Sequence, residues 1–230
     1  MANEQFFFSR EIAADTLLLR GDEHIHLSRV LRKKPGEHIH VSDGEGRLVE
    51  AQILSIEKDT SRAKILRDFP ARGEAQNRVA LAVGIIKPAH WEILLEKSAE
   101  LGVYEIFPLI TRYTVKADYR RERSEKILLS AVKQCGRSRI PRLHPPAEFT
   151  EFIKQPHYPK IYICDDQDTY PRLRVPQTSE DALIFVGPEG GFHPDEVRLA
   201  IAAGANPVLL ANRRLRSETA CLLALSYLVV

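Results

Sequence analysis

The sequence predicts an α/β fold, a parallel sheet with helices, preceded by a smaller β-rich part. Three observations carry the prediction. Beyond residue 78, apolar runs at 79–86, 104–110, 160–164, 182–187 and 207–210 alternate with helical patterns, as expected of strands buried on both faces. Before residue 70, apolar residues alternate with polar ones, the period of a sheet with one wet face. Between the two, Pro70-Ala71-Arg72-Gly73-Glu74-Ala75-Gln76-Asn77 has neither period and carries a Pro and a Gly, which makes it the linker. The expected domains are residues 1–72 and 73–230.

In chain order, Glu37-His38-Ile39-His40-Val41 and Leu48-Val49-Glu50-Ala51-Gln52-Ile53 flank the turn Ser42-Asp43-Gly44-Glu45-Gly46, a hairpin pattern. Arg62-Ala63-Lys64-Ile65-Leu66 supplies a further strand, so this part reads as a small β-barrel or compact sheet. His24 and His26, like His38 and His40, stand two apart, which places each pair on one face of a strand. With no carboxylate or Cys at ligand spacing, no metal site is expected. After the linker, the strand at 79–86 leads into a helix marked by Ile93, Leu94, Lys97 and Leu101 and closed by Gly102. Helices are also expected at 124–135, 194–203 and 217–228.

The chain has 230 residues, 44% hydrophobic and 28% charged, an ordinary globular composition. Its 33 Lys and Arg against 31 Asp and Glu leave +2, so total charge does not announce a nucleic-acid partner. The distribution does. From Arg112 to Arg142 there are ten Lys or Arg and three Asp or Glu, with Tyr113 and Tyr119 interleaved, and Arg29-Val30-Leu31-Arg32-Lys33-Lys34 forms a second basic cluster. Cys135, Cys164 and Cys221 are odd in number and far apart, which argues against disulfides or zinc and for a reducing, cytoplasmic setting. Three phenylalanines near the N-terminus are too short a run for an export signal. Residues 220–230, broken by Ser226, fall well below the ~18 residues of a membrane span and read as a buried helix.

Two stretches carry candidate chemistry. In Ile184-Phe185-Val186-Gly187-Pro188-Glu189-Gly190-Gly191-Phe192-His193-Pro194-Asp195-Glu196-Val197 a buried strand runs into three glycines, and a helix starts with Pro194 and two carboxylates at its positive end. This loop lies where open α/β sheets bind ligands, but Glu189 disfavours a pyrophosphate and suits a zwitterionic or cationic ligand. In Leu209-Leu210-Ala211-Asn212-Arg213-Arg214-Leu215-Arg216-Ser217-Glu218-Thr219-Ala220 a strand end meets a helix that Ser217 is expected to cap. Together the two loops are expected to form one pocket.

These residues resemble the RsmE family of SPOUT methyltransferases. The resemblance rests on Gly187-Pro188-Glu189-Gly190-Gly191-Phe192, on Glu196-Val197, and on Leu215-Arg216-Ser217-Glu218-Thr219-Ala220. It extends to His26-Leu27-x-x-Val30-Leu31-Arg32, Asp43-Gly44, Glu96-Lys97-x-x-Glu100-Leu101-Gly102-Val103, Pro108, Arg112 and Gln134-Cys135-x-Arg137 before Pro141. Ala211 stands where the family usually has Gly, Gln5-Phe6-Phe7 replaces an Arg-Arg-Phe opening, and Ser130 replaces an acidic residue.

The resemblance implies a PUA-like β-barrel joined to a trefoil-knotted SPOUT domain, a homodimer, and S-adenosylmethionine as methyl donor. The implied product is N3-methyluridine in 16S ribosomal RNA of the small subunit. It places the donor on Cys164, Asp165, Gly187, Pro188, Glu189, Gly190, Gly191, Leu210, Asn212 and Leu215. Uracil N3 must lose its proton before it attacks, which makes Arg112, Glu189 and Arg216 the catalytic candidates. Arg29, Arg32, Lys33, Arg112 and Arg137 are the candidate RNA contacts. No metal is required. A non-catalytic ribosome-binding factor, or an enzyme of the same fold acting on transfer RNA or on ribose, is the alternative.

Overall fold

The computed structural model describes residues 5–114, 119–154, 158–176 and 179–230. The first four residues, and Lys116 and Asp118 of the basic run, lie outside the described residues. The chain divides into two compact units, Met1–Glu74 with Leu129–Ile140, and Ala75–Leu128 with Pro141–Val230.

The first unit is a five-stranded sheet of β1 (Phe6–Phe8), β2 (Thr16–Arg20), β3 (His38–Ser42), β4 (Arg47–Ile56) and β5 (Thr60–Pro70), in the order β1-β3-β4-β5-β2. All its pairings are antiparallel except β1 with β3. Alternate positions turn inward, so Ile39 and Val41, Val49, Ala51 and Ile53, and Leu17 and Leu19 share one core with Phe7. His38 and His40 occupy the opposite face of β3, as the alternation requires. His24 and His26 do not lie in a strand. His24 belongs to α1 (Gly21–Ile25) and His26 opens the π-helical turn His26–Val30. His24 is buried, with Nδ1 2.8 Å from Ser61 Oγ and Nε2 3.2 Å from the Lys58 carbonyl, a core histidine satisfied on both nitrogens.

Among the described residues of the second unit, seven strands pair in parallel throughout. They are β6 (Val79–Gly84), β7 (Glu105–Ile110), β8 (Arg142–Leu143), β9 (Ala147–Glu148), β10 (Lys160–Cys164), β11 (Ala182–Val186) and β12 (Asn206–Val208). The order is β12-β10-β11-β6-β7-β8, with β9 also on β7. The central strands β6 and β11 are buried at every position, which is why their sequences are apolar without alternation. The helices are α2 (Pro88–Glu100), α3 (Arg121–Cys135), α4 (Phe149–Phe152), α5 (Pro194–Ala202) and α6 (Ser217–Leu228). Gly102, at φ +93°, follows α2 in the left-handed conformation that ends many helices. Cys221, Ala224, Leu225 and Leu228 of α6 are fully buried within the chain.

Candidate functional site

Because β10, β11 and β12 are parallel neighbours, their carboxyl ends lie at one edge of the sheet. The loops leaving that edge enclose an open cleft. Its wall contains Gly187, Pro188, Glu189, Gly190 and Gly191 after β11, Leu210 and Leu215 before α6, and Cys164 and Asp165 at the end of β10. The two glycine- and amide-rich loops thus form one pocket. Of the cofactor residues expected from sequence, Asn212 alone is not brought in; it is exposed and absent from the lining. Val186, Phe192, Leu209, Ala211, Arg213, Arg214, Ser217 and Ala220 also line the cleft, within the two stretches read as candidate chemistry but not named as donor contacts, and Asp166 lines it from outside both. The spacing of Ser217 and Ala220, one turn apart at the start of α6, was the available signal for that pair.

The glycines serve the closure of the backbone on itself. Gly191, at φ +74°, donates its N–H to the Pro188 carbonyl at 2.8 Å. A Cβ on Gly187 would sit 2.7 Å from the carbonyl carbon of Gly191, and one on Gly190 would sit 3.1 Å from Cβ of Tyr113. Across the sheet, Gly84 leaves room for the ring of Pro188. Glu189 fixes the loop from the other side by accepting the backbone N–H of Lys87 at 3.1 Å. Burial pushes the Asp165 carboxyl above its ordinary pKa, and drives the Cys164 thiol well above its own, so Cys164 is a wall residue and no thiolate nucleophile.

The three catalytic candidates occupy different walls. Glu189 lines the cleft and also a neighbouring cavity, which Arg216 shares with it. Arg112 lies outside both, in a third cavity beside His193, where its guanidinium is 3.4 Å from Asp195 and 3.4 Å from His193 Nδ1. Ser217 does not cap α6. The N-cap is Arg216, no side chain bonds the free amides there, and Ser217 is the buried first helical residue. By contrast α5 carries a complete capping box, with Asp195 N–H donating to His193 Nδ1 at 3.1 Å and His193 N–H donating to Glu196 at 2.8 Å.

Among the expected RNA contacts, Arg29 and Arg32 are exposed in the first unit, whereas Lys33 is half-buried and held by Glu37 at 3.0 Å. Arg137, expected on RNA, is turned inward instead. Its side chain is 3% exposed and its Nη2 donates to Glu74 at 2.7 Å, an ion pair buried inside the first unit. Other cations of the basic run also face carboxylates, Arg121 with Glu125 and Arg123 with Glu92 in exposed pairs and Lys133 with Glu23 in a half-buried one. Among the described residues no group of three His, Cys, Asp or Glu side chains is placed to hold a metal ion, and no helix is long and apolar enough to cross a membrane.

Comparison with known proteins agrees with this geometry. The family model of an RNA methyltransferase domain matches residues 73–229, and that of an RNA methyltransferase PUA domain matches residues 19–66. The ribosomal RNA small subunit methyltransferase E of Synechocystis is 31% identical over 94% of this chain and 73% of its own length. That of Rickettsia conorii is 27% identical over 97% and 93%. Among solved structures, ribosomal RNA small subunit methyltransferase E from Neisseria gonorrhoeae, bound to S-adenosyl methionine, superposes with a TM-score of 0.87. It shares 30% identity, with 97% of this chain and 95% of that one covered. A probable rRNA-methyltransferase from Porphyromonas gingivalis gives a TM-score of 0.85 at 29% identity, covering 96% and 95%.

Proposed function

This chain belongs to the RNA methyltransferase family, and we propose that it transfers a methyl group from S-adenosylmethionine to N3 of a specific uridine in 16S ribosomal RNA of the small subunit. The observation that carries the reading is the cleft at the carboxyl ends of β10, β11 and β12. Its residues fit such a donor: Leu210 and Leu215 offer apolar surface to a flat base, the 187–191 loop offers backbone groups at close range, and Glu189 and Asp165 suit a ligand with positive centres. When bound, S-adenosylmethionine supplies an electrophilic methyl group.

The acceptor nitrogen must be aligned with that group and stripped of its proton. Glu189, on the wall shared by the cleft and the neighbouring cavity, is assigned the role of receiving the proton. Arg216, exposed in that neighbouring cavity, is assigned the role of stabilising the uracil anion. Arg112 acts at one remove, by ordering the loop after β7. The PUA-like unit grips RNA through exposed cations including Arg29 and Arg32, and the target base is splayed out to reach the cleft.

We further propose a knotted, homodimeric, cytoplasmic enzyme, as the resemblance implies. Half-exposed Ile93 on α2 and half-buried Leu222 and Leu223 on the adjoining α6 supply apolar surface for a second copy. The decisive experiment incubates the protein with labelled donor and, separately, unmethylated small subunits, free 16S RNA and transfer RNA, then identifies the methylated nucleoside. N3-methyluridine in small subunits is the expected result. Label in transfer RNA or on ribose would identify a different enzyme of this fold. No label and no donor binding would leave an RNA-binding factor.

A further inference from the structure

Beside the donor cleft, and sharing Glu189, Arg214 and Leu215 with it, lies a second open cavity. Its charged groups are unevenly matched. Of its two carboxylates, Glu189 accepts the Lys87 backbone N–H at 3.1 Å, and Glu218 lies 2.9 Å from His90 Nδ1 without a hydrogen bond between them. The ammonium of Lys87 and the guanidinium groups of Arg214 and Arg216 have no ion-pair partner among the described residues, although all three line the cavity. Elsewhere in the same unit Arg112, Arg121, Arg123 and Arg198 each face a carboxylate. Three exposed, unneutralised cations around one concavity repel each other and raise the local concentration of anions.

We propose that this cavity binds a phosphodiester of the RNA backbone adjoining the target nucleotide, with Lys87 and Arg214 as its ligands and Arg216 facing the base. The inference rests on the RNA methyltransferase reading and names the subsite by which the substrate is held. A guanidinium fork and an ammonium are the side chains that grip phosphate oxygens, the fork by direction and the ammonium as a point charge. The shared wall then places the neighbouring nucleotide at the donor. The competing anion is the carboxylate of the donor itself, and the two sources respond oppositely to one test.

The test uses the full chain and a fluorescein-labelled oligouridylate, with binding followed by anisotropy across a salt series, and donor affinity measured separately by calorimetry. The variants are Lys87→Gln, Lys87→Arg and the double variant Lys87→Gln/Arg214→Gln. Each lost contact to a single strand lowers the log–log salt slope by about 0.7, so the double variant is expected to lose about 1.4 while Lys87→Arg keeps the original slope. Donor affinity is expected to stay unchanged in Lys87→Gln and Lys87→Arg, since Lys87 does not line the donor cleft. An unchanged slope overturns the proposal. A fall in donor affinity in Lys87→Gln overturns it as well, by assigning that cation to the donor carboxylate. Should the unaltered chain fail to bind donor while its salt slope still falls on substitution, the phosphate subsite stands and the methyltransferase reading falls. Because Lys87 is exposed, Lys87→Gln alone gives the result if the double variant does not fold.

Discussion

The carboxylate of Glu196 accepts the backbone N–H of Arg112 at 2.9 Å with one oxygen and that of His193 at 2.8 Å with the other. A single buried side chain thereby closes the cap of α5 and fixes the loop after β7, the loop whose Tyr113 packs against Gly190 of the cleft. Glu196→Ala leaves two amides without their acceptor and is expected to destabilise the chain by about 2–3 kcal/mol. Glu196→Gln, which keeps one acceptor oxygen, is expected to lose about half of that. Chemical denaturation measures both. Equal losses in the two variants would mean that the hydrogen bonds contribute little beyond the volume of the side chain.

Gly187 faces backbone, since its added Cβ would stand 2.7 Å from the carbonyl carbon of Gly191. Gly187→Ala is therefore expected to reshape the cleft loop while leaving the buried strands alone. Donor affinity should fall more than tenfold, and melting temperature should change little. Calorimetry and a thermal melt on the same preparation separate the two effects. Retained affinity would show that the loop can reopen without harm to the ligand.

Arg137 and Glu74 form an ion pair whose side chains are 3% and 11% exposed, and Glu74 also accepts the Arg139 backbone N–H at 2.9 Å. Removing one partner strands the other charge in the interior. Arg137→Met is expected to cost about 3–5 kcal/mol of stability. RNA affinity per folded molecule is expected to stay the same, in contrast to Arg29→Gln or Arg32→Gln. Binding titrations normalised to the folded fraction check the distinction.

The arginine that sequence reasoning placed on RNA shows where a single chain stops being legible. Charge runs report composition, and the partner that neutralises Arg137 lies 63 positions away at Glu74. Nothing in the spacing of either residue announces the other. The central strands were legible because β6 and β11 are buried on both faces, a condition that writes itself as uninterrupted apolar sequence. The cleft was legible for a related reason: Gly187 and Gly191 are demanded by local backbone geometry, which leaves a local trace. β8 and β9 are two residues each, too short to establish any period. His24 and His26 misled because two residues apart describes a strand face only if a strand is there, and α1 with its π-helical turn occupies that stretch.

Glu105 is the centre of a half-buried cluster, accepting from Tyr158 and lying 2.6 Å from His144 Nε2, with the His144 ring stacked on Phe107 at 4.0 Å. Burial works to raise its pKa, but the hydrogen bonds from His144 and Tyr158 outweigh it and hold the carboxyl below its ordinary value of 4.5. A carboxylate lowered in the folded state contributes its full stability above 4.5, and that contribution disappears as pH falls through the lowered value. Glu105→Gln is accordingly expected to be less stable than the unaltered chain at neutral pH, with the difference narrowing in acid. Denaturation midpoints across an acid series decide this; a gap that stays constant with pH would remove Glu105 from the acid response.

The first unit does not end at the linker. Ser42 Oγ donates to the Ser138 carbonyl at 2.7 Å, Ile140 N–H donates to the Gly44 carbonyl at 2.9 Å, and Phe6 packs so closely on Gly136 that a Cβ there would lie 2.9 Å from its ring. Deleting residues 1–72 therefore strips residues 129–140 of the β-rich partner they are built against, including the cover over Val132, 2% exposed in the intact chain. Hydrogen exchange in the deletion protein is expected to show lost protection across 129–135 of α3. Protection in β6 and β11 should persist, since those strands are enclosed by the second unit. Donor affinity should remain within a few-fold, because every residue lining the cleft lies between Cys164 and Ala220. Methylation of small subunits should nearly vanish, since the exposed Arg29 and Arg32 leave with the deleted strands. Full protection at 129–135 would show that α3 holds its form without the β-rich unit, and loss of donor binding in a chain that keeps its β6 and β11 protection would show that the cleft depends on residues far outside its own walls.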